Sequence, residues 1–174
     1  MWPFTTLTSP AIPLLRDDID ANFIAPATGP WRGRPFGRLR LDATGRPRAD
    51  SLFDRAPFSS AAILIVGRDF GAGARAGAAV ESLLELGLRC VIGVSFAPAF
   101  LEAAQGRALL PAALDAQTAG PLADEALSGF ALTVDLASRT IITCHGERFA
   151  FAPAAEAAPS ADETQHLLYA TPDW

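Results

Sequence analysis

Residues 61–94 constrain the fold more than any other part of the chain. Residues 61–66 (AAILIV) form an unbroken apolar run of strand length, closed by Gly67 and followed by a glycine-rich stretch, GRDFGAGARAG. Residues 78–87 (AAVESLLELG) then place Ala79, Leu83 and Leu86 on one helical face, with Glu81 and Glu85 elsewhere. That segment stops at a glycine suited to the position just past a helix. A second apolar run, residues 89–94, follows at once. Strand, glycine loop, helix and strand in this order predict two parallel strands joined by a right-handed crossover, and so an α/β fold.

Around this unit the signals are weaker. Residues 1–26 alternate β-branched residues with turn formers and end in Ala25-Pro26, an extended dipeptide, so short strands and loops are expected. Residues 27–60 are rich in Gly, Pro and Arg, with ATGRPR a turn signal, and predict a loop with little regular structure. Residues 98–105 read as a short helix leading into Leu109-Leu110-Pro111, and the Ala-rich residues 112–127 as a helix or ordered connection. Residues 131–136 and 140–143 flank Ala137-Ser138-Arg139 in a hairpin pattern. Residues 150–158 and the polar end ETQHLLYATPDW predict a loosely docked tail over about residues 155–174. The 174 residues fit one domain spanning 1–174.

Several function classes drop out on composition. Half the residues are hydrophobic and 19% are charged, which excludes a disordered chain. The net charge of −5, with no stripe of arginines, argues against nucleic acid as a partner. Cys90, inside the buried-strand pattern LRCVIGV, and Cys144 are the only cysteines. They are too few for a disulfide framework or an iron–sulfur cluster, and read as two reduced structural thiols of a cytoplasmic protein. No segment has the roughly 18 uninterrupted apolar residues of a membrane span, and the N-terminus lacks the basic-then-apolar pattern of a leader.

Chemistry concentrates in Gly71-Ala72-Gly73-Ala74-Arg75-Ala76-Gly77, where the glycine loop meets the predicted helix. First-turn amides lack intrahelical partners and the helix dipole is positive there, so the position suits an anion. The spacing, G-x-G-x-x-x-G, is not the dinucleotide fingerprint, and the following strand runs into Ser95-Phe96 with no acid to hold a ribose. Two readings remain: glycines that only permit a tight turn and close packing, or a carboxylate site aided by the forked guanidinium of Arg75. Asp17, Asp18 and Asp20 read as a turn and cap cluster rather than a cation site. Cys144 and His145 lie side by side after a strand, where neighbouring side chains point to opposite faces, so a solvent-facing turn is expected rather than a metal pair. His166 falls in the tail.

Five phrases in order resemble the small-subunit family of 3-isopropylmalate dehydratase, which is equivalent to the swivelling domain of aconitase-type hydro-lyases. FTTLTSPAIPLLRDDIDANFIAP is similar to the family opening, N-[IV]-D-T-D-x-I-I-P after a short strand region. Residues 46–58 resemble the stretch before the central strand. ILIVGRDFGAGARAGAAVESLLELGLRCVIGVSFAPAFLEAAQGRALLP follows, without a gap, the family succession of strand, N-F-G-C-G-S-S-R-E-H-A, helix, G-[FI]-R-x-V-I-A-x-S-F-A-D-I-F and G-L-L-P. LTVDL resembles the closing hairpin. The resemblance implies a swivelling β/β/α domain with a mixed sheet, capping a large subunit that carries a four-iron cluster on three cysteines. This chain itself would hold no cofactor. It also implies a leucine-biosynthesis hydro-lyase that moves the hydroxyl of a small hydroxy-acid, with a serine base and a carboxylate-gripping arginine supplied by the S-S-R phrase.

The chain departs from the pattern where that chemistry should lie. In the gapless register the two serines fall on Ala74 and Arg75, the arginine on Ala76 and E-H on Gly77-Ala78. A slide of one residue would instead bring Arg75 onto the arginine. A methyl group accepts no proton, so no catalytic residue is assigned here, and Gly71, Gly73, Ala74, Arg75 and Ala76 are expected to bind substrate. Asp18, Ala21 and Asn22 stand where the family prefers N, T and D, while Asp20 and Pro26 remain, and the loop between Pro26 and Pro35 looks shortened. Two functions are compatible with this: a hydro-lyase subunit binding a substrate carboxylate, or a catalytically degenerate paralogue acting as a binding or scaffold domain.

Overall fold

A computed structural model describes residues 4–154 of the chain. Its parallel strands are β2 (Ala11–Pro13), β3 (Ile63–Ile65), β4 (Cys90–Gly93) and β5 (Leu110–Ala113), neighbours in that order, and β9 (Ala152–Pro153) adds antiparallel to β5. A second, antiparallel sheet runs β1-β6-β7-β8, from β1 (Thr6–Ser9), β6 (Leu132–Asp135), β7 (Thr140–Ile142) and β8 (Arg148–Ala150). The fold is therefore α/β with one mixed sheet, as the sequence predicts.

The central unit forms as expected. β3 and β4 pair in parallel, Ile63 opposite Cys90, and α3 (Ala76–Glu85) connects them. Every residue of both strands is buried, which is why neither shows polar alternation. On α3 the buried residues are Ala76, Ala79, Val80 and Leu83. The helix ends where Gly87, at φ 86°, lets Leu88 N–H reach Leu83 O (3.1 Å) and Gly87 N–H reach Leu84 O (3.0 Å). This pair of bonds is a Schellman closure, and the two leucines it brings together are fully buried.

Alternate residues of the parallel strands feed two cores. Ile12, Leu64, Val66 and Val91 pack with Leu83, Phe70 and Phe100 on one face. Ala11, Ile63, Ile65, Cys90 and Ile92 face Leu132, Val134 and Ile141 of the second sheet, with Leu122 and Ala126 of α5 (Ala116–Leu127) in the same cluster. Each fully buried large aliphatic side chain contributes about 1.5–3 kcal/mol relative to exposure.

Three expectations need correction. Ala112 and Ala113 belong to β5 rather than to a helical connection, because Cys90 to Gly93 supply a parallel partner strand; α5 begins only after Asp115, whose carboxylate accepts the Gln117 N–H (2.8 Å). Residues 27–60 are not a plain loop. They hold α2 (Gly37–Arg40) and two 3-10 turns, Leu52–Asp54 and Phe58–Ser60, organised by a few anchors rather than by periodicity. Phe36 is fully buried and stacks on Phe53 at 4.7 Å, and the Trp31 indole N–H donates to the Leu41 and Asp42 carbonyls. Arg40 pairs with Asp54 at 2.9 Å and holds its carboxyl below the usual range. Finally, the weak signal at residues 150–154 contains the end of β8 and all of β9; residues 155–158 and the tail with His166 lie outside the described residues. The predicted helix at 98–105 is found as α4 (Pro98–Ala104), and the hairpin as β6 and β7.

Candidate functional site

After β3 the chain leaves the sheet through Gly67 and reaches α3 through the glycine loop, whose route is fixed by backbone bonds to residues 16–21. Asp18 N–H donates to Arg68 O (2.9 Å), Gly71 N–H to Ile19 O (2.7 Å) and Ala21 N–H to Ala72 O (2.7 Å). The Asp17 carboxylate accepts the Arg68 N–H (2.8 Å). Gly71, at φ 85°, passes so close to the buried Phe100 ring that a Cβ would lie 2.5 Å from Cδ2. Gly73, at φ 112°, makes no such approach.

The three aspartates behave as turn and cap residues. Asp20 caps α1 (Ala21–Ile24) by accepting the Phe23 N–H at 2.7 Å, and Asp18 adopts a left-handed turn conformation at φ 57°.

The loop exposes Ala72, Gly73 and Ala74 to solvent, half-buries Arg75, and buries Gly71 and Ala76. Arg75 is the N-cap residue of α3 but offers it no side-chain cap. Its guanidinium donates to the carbonyl of Ala25, tying the start of α3 to the residue before Pro26. Ala76 is only 5% exposed and faces the core, so it is not part of the solvent-facing surface of the loop. The structure thus brings Gly73, Ala74 and Arg75 to one open corner and leaves Gly71 and Ala76 as its supports.

Beside this corner lies a cleft of about 160 Å³ lined by Arg16, Asp18, Asp20, Asn22, Phe23 and Arg38. Arg16 lies over the Phe23 ring (5.0 Å) and Arg38 over the Trp31 ring (5.5 Å), and among the described residues neither pairs with a carboxylate. Sequence reasoning missed both arginines. Arg38 sits in the segment read as loop, and no local spacing links it to Arg16; α2 and the turn before α1 bring them together.

A second group is converged by the fold. Cys144 and His145 do occupy an exposed turn, as expected, but their side chains do not diverge. Cys144 Sγ lies 3.4 Å from His145 Nδ1 and 3.5 Å from Glu125 Oε1, and the His145 and Glu125 atoms are 2.5 Å apart. Among the described residues these three form a group able to hold a metal ion. Desolvation and the neighbouring Glu125 carboxylate raise the Cys144 thiol above its usual range, and burial alone pushes Cys90 up further. Cys90 is therefore the inert structural thiol expected, whereas Cys144 is exposed.

Comparison with known proteins places this architecture. The chain is 34% identical over 160 residues to the 3-isopropylmalate dehydratase small subunit of Phenylobacterium zucineum, covering 87% of this chain and 78% of that one. It is 36% identical over 161 residues to the protein of the same name from Rhodospirillum centenum, with 87% and 79% covered. The chain belongs to the 3-isopropylmalate dehydratase small-subunit family. A solved structure of 3-isopropylmalate dehydratase from Methanocaldococcus jannaschii shares the fold of this family member, with a TM-score of 0.60 at 21% identity over 91% of this chain and 86% of that one. No model in a scan of protein families matches the chain. Among the described residues no helix is long and apolar enough to cross a membrane. Within this dehydratase small-subunit framework, the exposed face of the loop presents a methyl group at Ala74, with the Arg75 guanidinium as the nearest charge in sequence.

Proposed function

We propose that the chain is the swivelling small subunit of a cytoplasmic 3-isopropylmalate dehydratase-like hydro-lyase, capping a large subunit that carries the iron–sulfur cluster. Its share of the site is to hold a carboxylate of a small hydroxy-acid. The observation that carries this reading is the position of Arg75: half-buried, anchored through one N–H to Ala25, and set at the start of α3 beside three solvent-facing loop residues. A guanidinium fixed by one bond keeps its remaining donors in a set direction, which favours bidentate capture of a carboxylate. The first-turn amides of α3 add a partial positive charge at the same corner, while the adjoining cleft sets the Arg16 and Arg38 donors beside the Asp18 and Asp20 carboxylates. The half-exposure of Arg75 and the burial of Ala76 support the register in which Arg75, rather than Ala76, takes the place of the family arginine, since a guanidinium at 76 would start inside the core.

Dehydration removes a proton beside a carboxylate as the hydroxyl leaves; a cluster on the large subunit would supply the Lewis acid that assists that departure. Ala74 has no atom that accepts a proton, so the chain contributes binding and orientation at that position and no base. The exposed methyl of Ala74 also supports a second reading, in which the complex forms but turnover is lost and the chain serves as a binding or scaffold domain.

Titration of a 2-hydroxy-dicarboxylate into the co-purified two-chain complex, followed calorimetrically, tests the carboxylate role. Arg75→Ala should weaken binding by at least about tenfold, the equivalent of one charge-assisted hydrogen bond, with Arg75→Lys intermediate. Equal affinity in all three proteins would remove Arg75 from the site.

A further inference from the structure

Glu125, Cys144 and His145 come from parts of the fold that contribute nothing to the loop at residues 71–77. Glu125 lies in the last turn of α5, and the other two occupy the turn between β7 and β8. That turn closes through Gly146 N–H to Thr143 O at 3.0 Å, with Gly146 at φ 82°, so Cys144 and His145 sit at its two corner positions. At a corner the strand rule of opposite faces no longer applies, and both side chains lean toward α5. Phe130 meets the His145 ring edge-to-face at 6.2 Å and limits its rotation.

We propose that these three side chains form a zinc(II) site. One thiolate, one imidazole and one carboxylate are the donor types that zinc takes, at about 2.3, 2.0–2.1 and 2.0–2.2 Å, in tetrahedral geometry. A tetrahedron with those bonds has edges of about 3.3–3.6 Å. The sulfur–nitrogen and sulfur–oxygen separations of 3.4 and 3.5 Å already match it. Only the nitrogen–oxygen edge is short, at 2.5 Å, because those two atoms share a hydrogen bond. On metal binding the imidazole proton shifts to Nε2, freeing Nδ1 as a ligand, and the thiol proton is released to solvent; the metal then opens this edge by under about 1 Å, a movement that rotation about the Glu125 side-chain bonds supplies. Glu125 is only 20% exposed on its side chain, which pre-sets one ligand, while the exposed His145 leaves an approach open.

The location also favours a cation. An acidic side chain in the last turn of a helix faces the negative end of the dipole, no basic residue in that turn of α5 offsets it, and a divalent ion would. The soft thiolate with imidazole selects zinc over magnesium or calcium, which prefer all-oxygen sets. With three protein ligands among the described residues, a fourth position remains for water. Bound metal would clip the β7–β8 turn to the end of α5.

The test is titration of the reduced, metal-free full chain with cobalt(II) as a spectroscopic probe, then with zinc(II) against a chromophoric chelator. One cobalt per chain should bind, with a thiolate-to-cobalt charge-transfer band in the near ultraviolet and visible bands of four-coordinate intensity, and zinc should displace it. Cys144→Ser should abolish the charge-transfer band while Cys90 remains in place. His145→Ala and Glu125→Gln should weaken zinc binding by more than the roughly 10–100-fold typical of second-sphere partners, with circular dichroism unchanged. Absence of the band, its persistence in Cys144→Ser, or zinc binding equal in all the variants would overturn the proposal.

Discussion

Restoring a hydroxyl at position 74 should raise the turnover of the two-chain complex by about 10²–10⁴-fold, the range that a positioned acid–base group contributes. Ala74 is exposed at the open corner of the loop, and a serine there fits without displacing a neighbour. In the gapless register and in the register shifted by one residue alike, Ala74 stands where the family pattern has a serine. The single change Ala74→Ser therefore suffices, with Arg75 kept as the carboxylate ligand. The alternative triple change, Ala74→Ser with Arg75→Ser and Ala76→Arg, should fail to match it, because Ala76 is buried against the core and Arg75 would be lost. The readout is absorbance of the unsaturated acid formed on dehydration. A triple variant more active than Ala74→Ser would show that the gapless register is correct after all.

The largest effect on stability is expected from Gly71→Ala. At φ 85° an L side chain is strained, and its Cβ would lie 2.5–2.7 Å from three atoms of Phe100. Phe100 is fully buried, packed edge-on to Phe70 at 5.1 Å and stacked with Phe96 at 5.9 Å, so it has no room to retreat. Backbone strain and overpacking together cost about 2–5 kcal/mol, which lowers Tm by roughly 5–15 °C in a chain of this size. Gly73→Ala isolates the two contributions. Its φ is 112°, but the nearest atom to an added Cβ is Ala21 Cβ at 3.9 Å, so it should lose only about 1–3 kcal/mol. Thermal melts of the two variants would decide the matter; equal losses would mean that the Phe100 contact does not govern the loop.

Some of this architecture can be read without coordinates because its signals are local. A run such as AAILIV has no polar face to present, and α3 carries its stop signal in Gly87, so strand and helix declare themselves within a few residues. Residues 27–60 do not, since their order comes from Phe36 meeting Phe53 and Arg40 meeting Asp54, contacts set by tertiary distance rather than by period. β9, a two-residue strand, owes its existence to β5 and has too few residues to show alternation.

The candidate site divides in the same way. The glycine loop is visible because Gly71 and Gly73 must adopt conformations that other residues resist. Arg16 and Arg38 are separated by 22 positions and are joined only by the packing of α2 against the turn before α1. The convergence of Cys144 and His145 is hidden because strand alternation does not hold at a turn, and their third partner, Glu125, lies on another element.

That the loop corner faces both a large subunit and a substrate carboxylate is tested most directly by hydrogen exchange on the full chain, alone, with the large subunit, and with a 2-hydroxy-dicarboxylate added. Amides of residues 72–78 and 16–23 should exchange more slowly in the complex, and those of 75–78 more slowly still with ligand. Slowing confined to β6, β7 and β8, with the loop exchanging as in the isolated chain, would contradict the account.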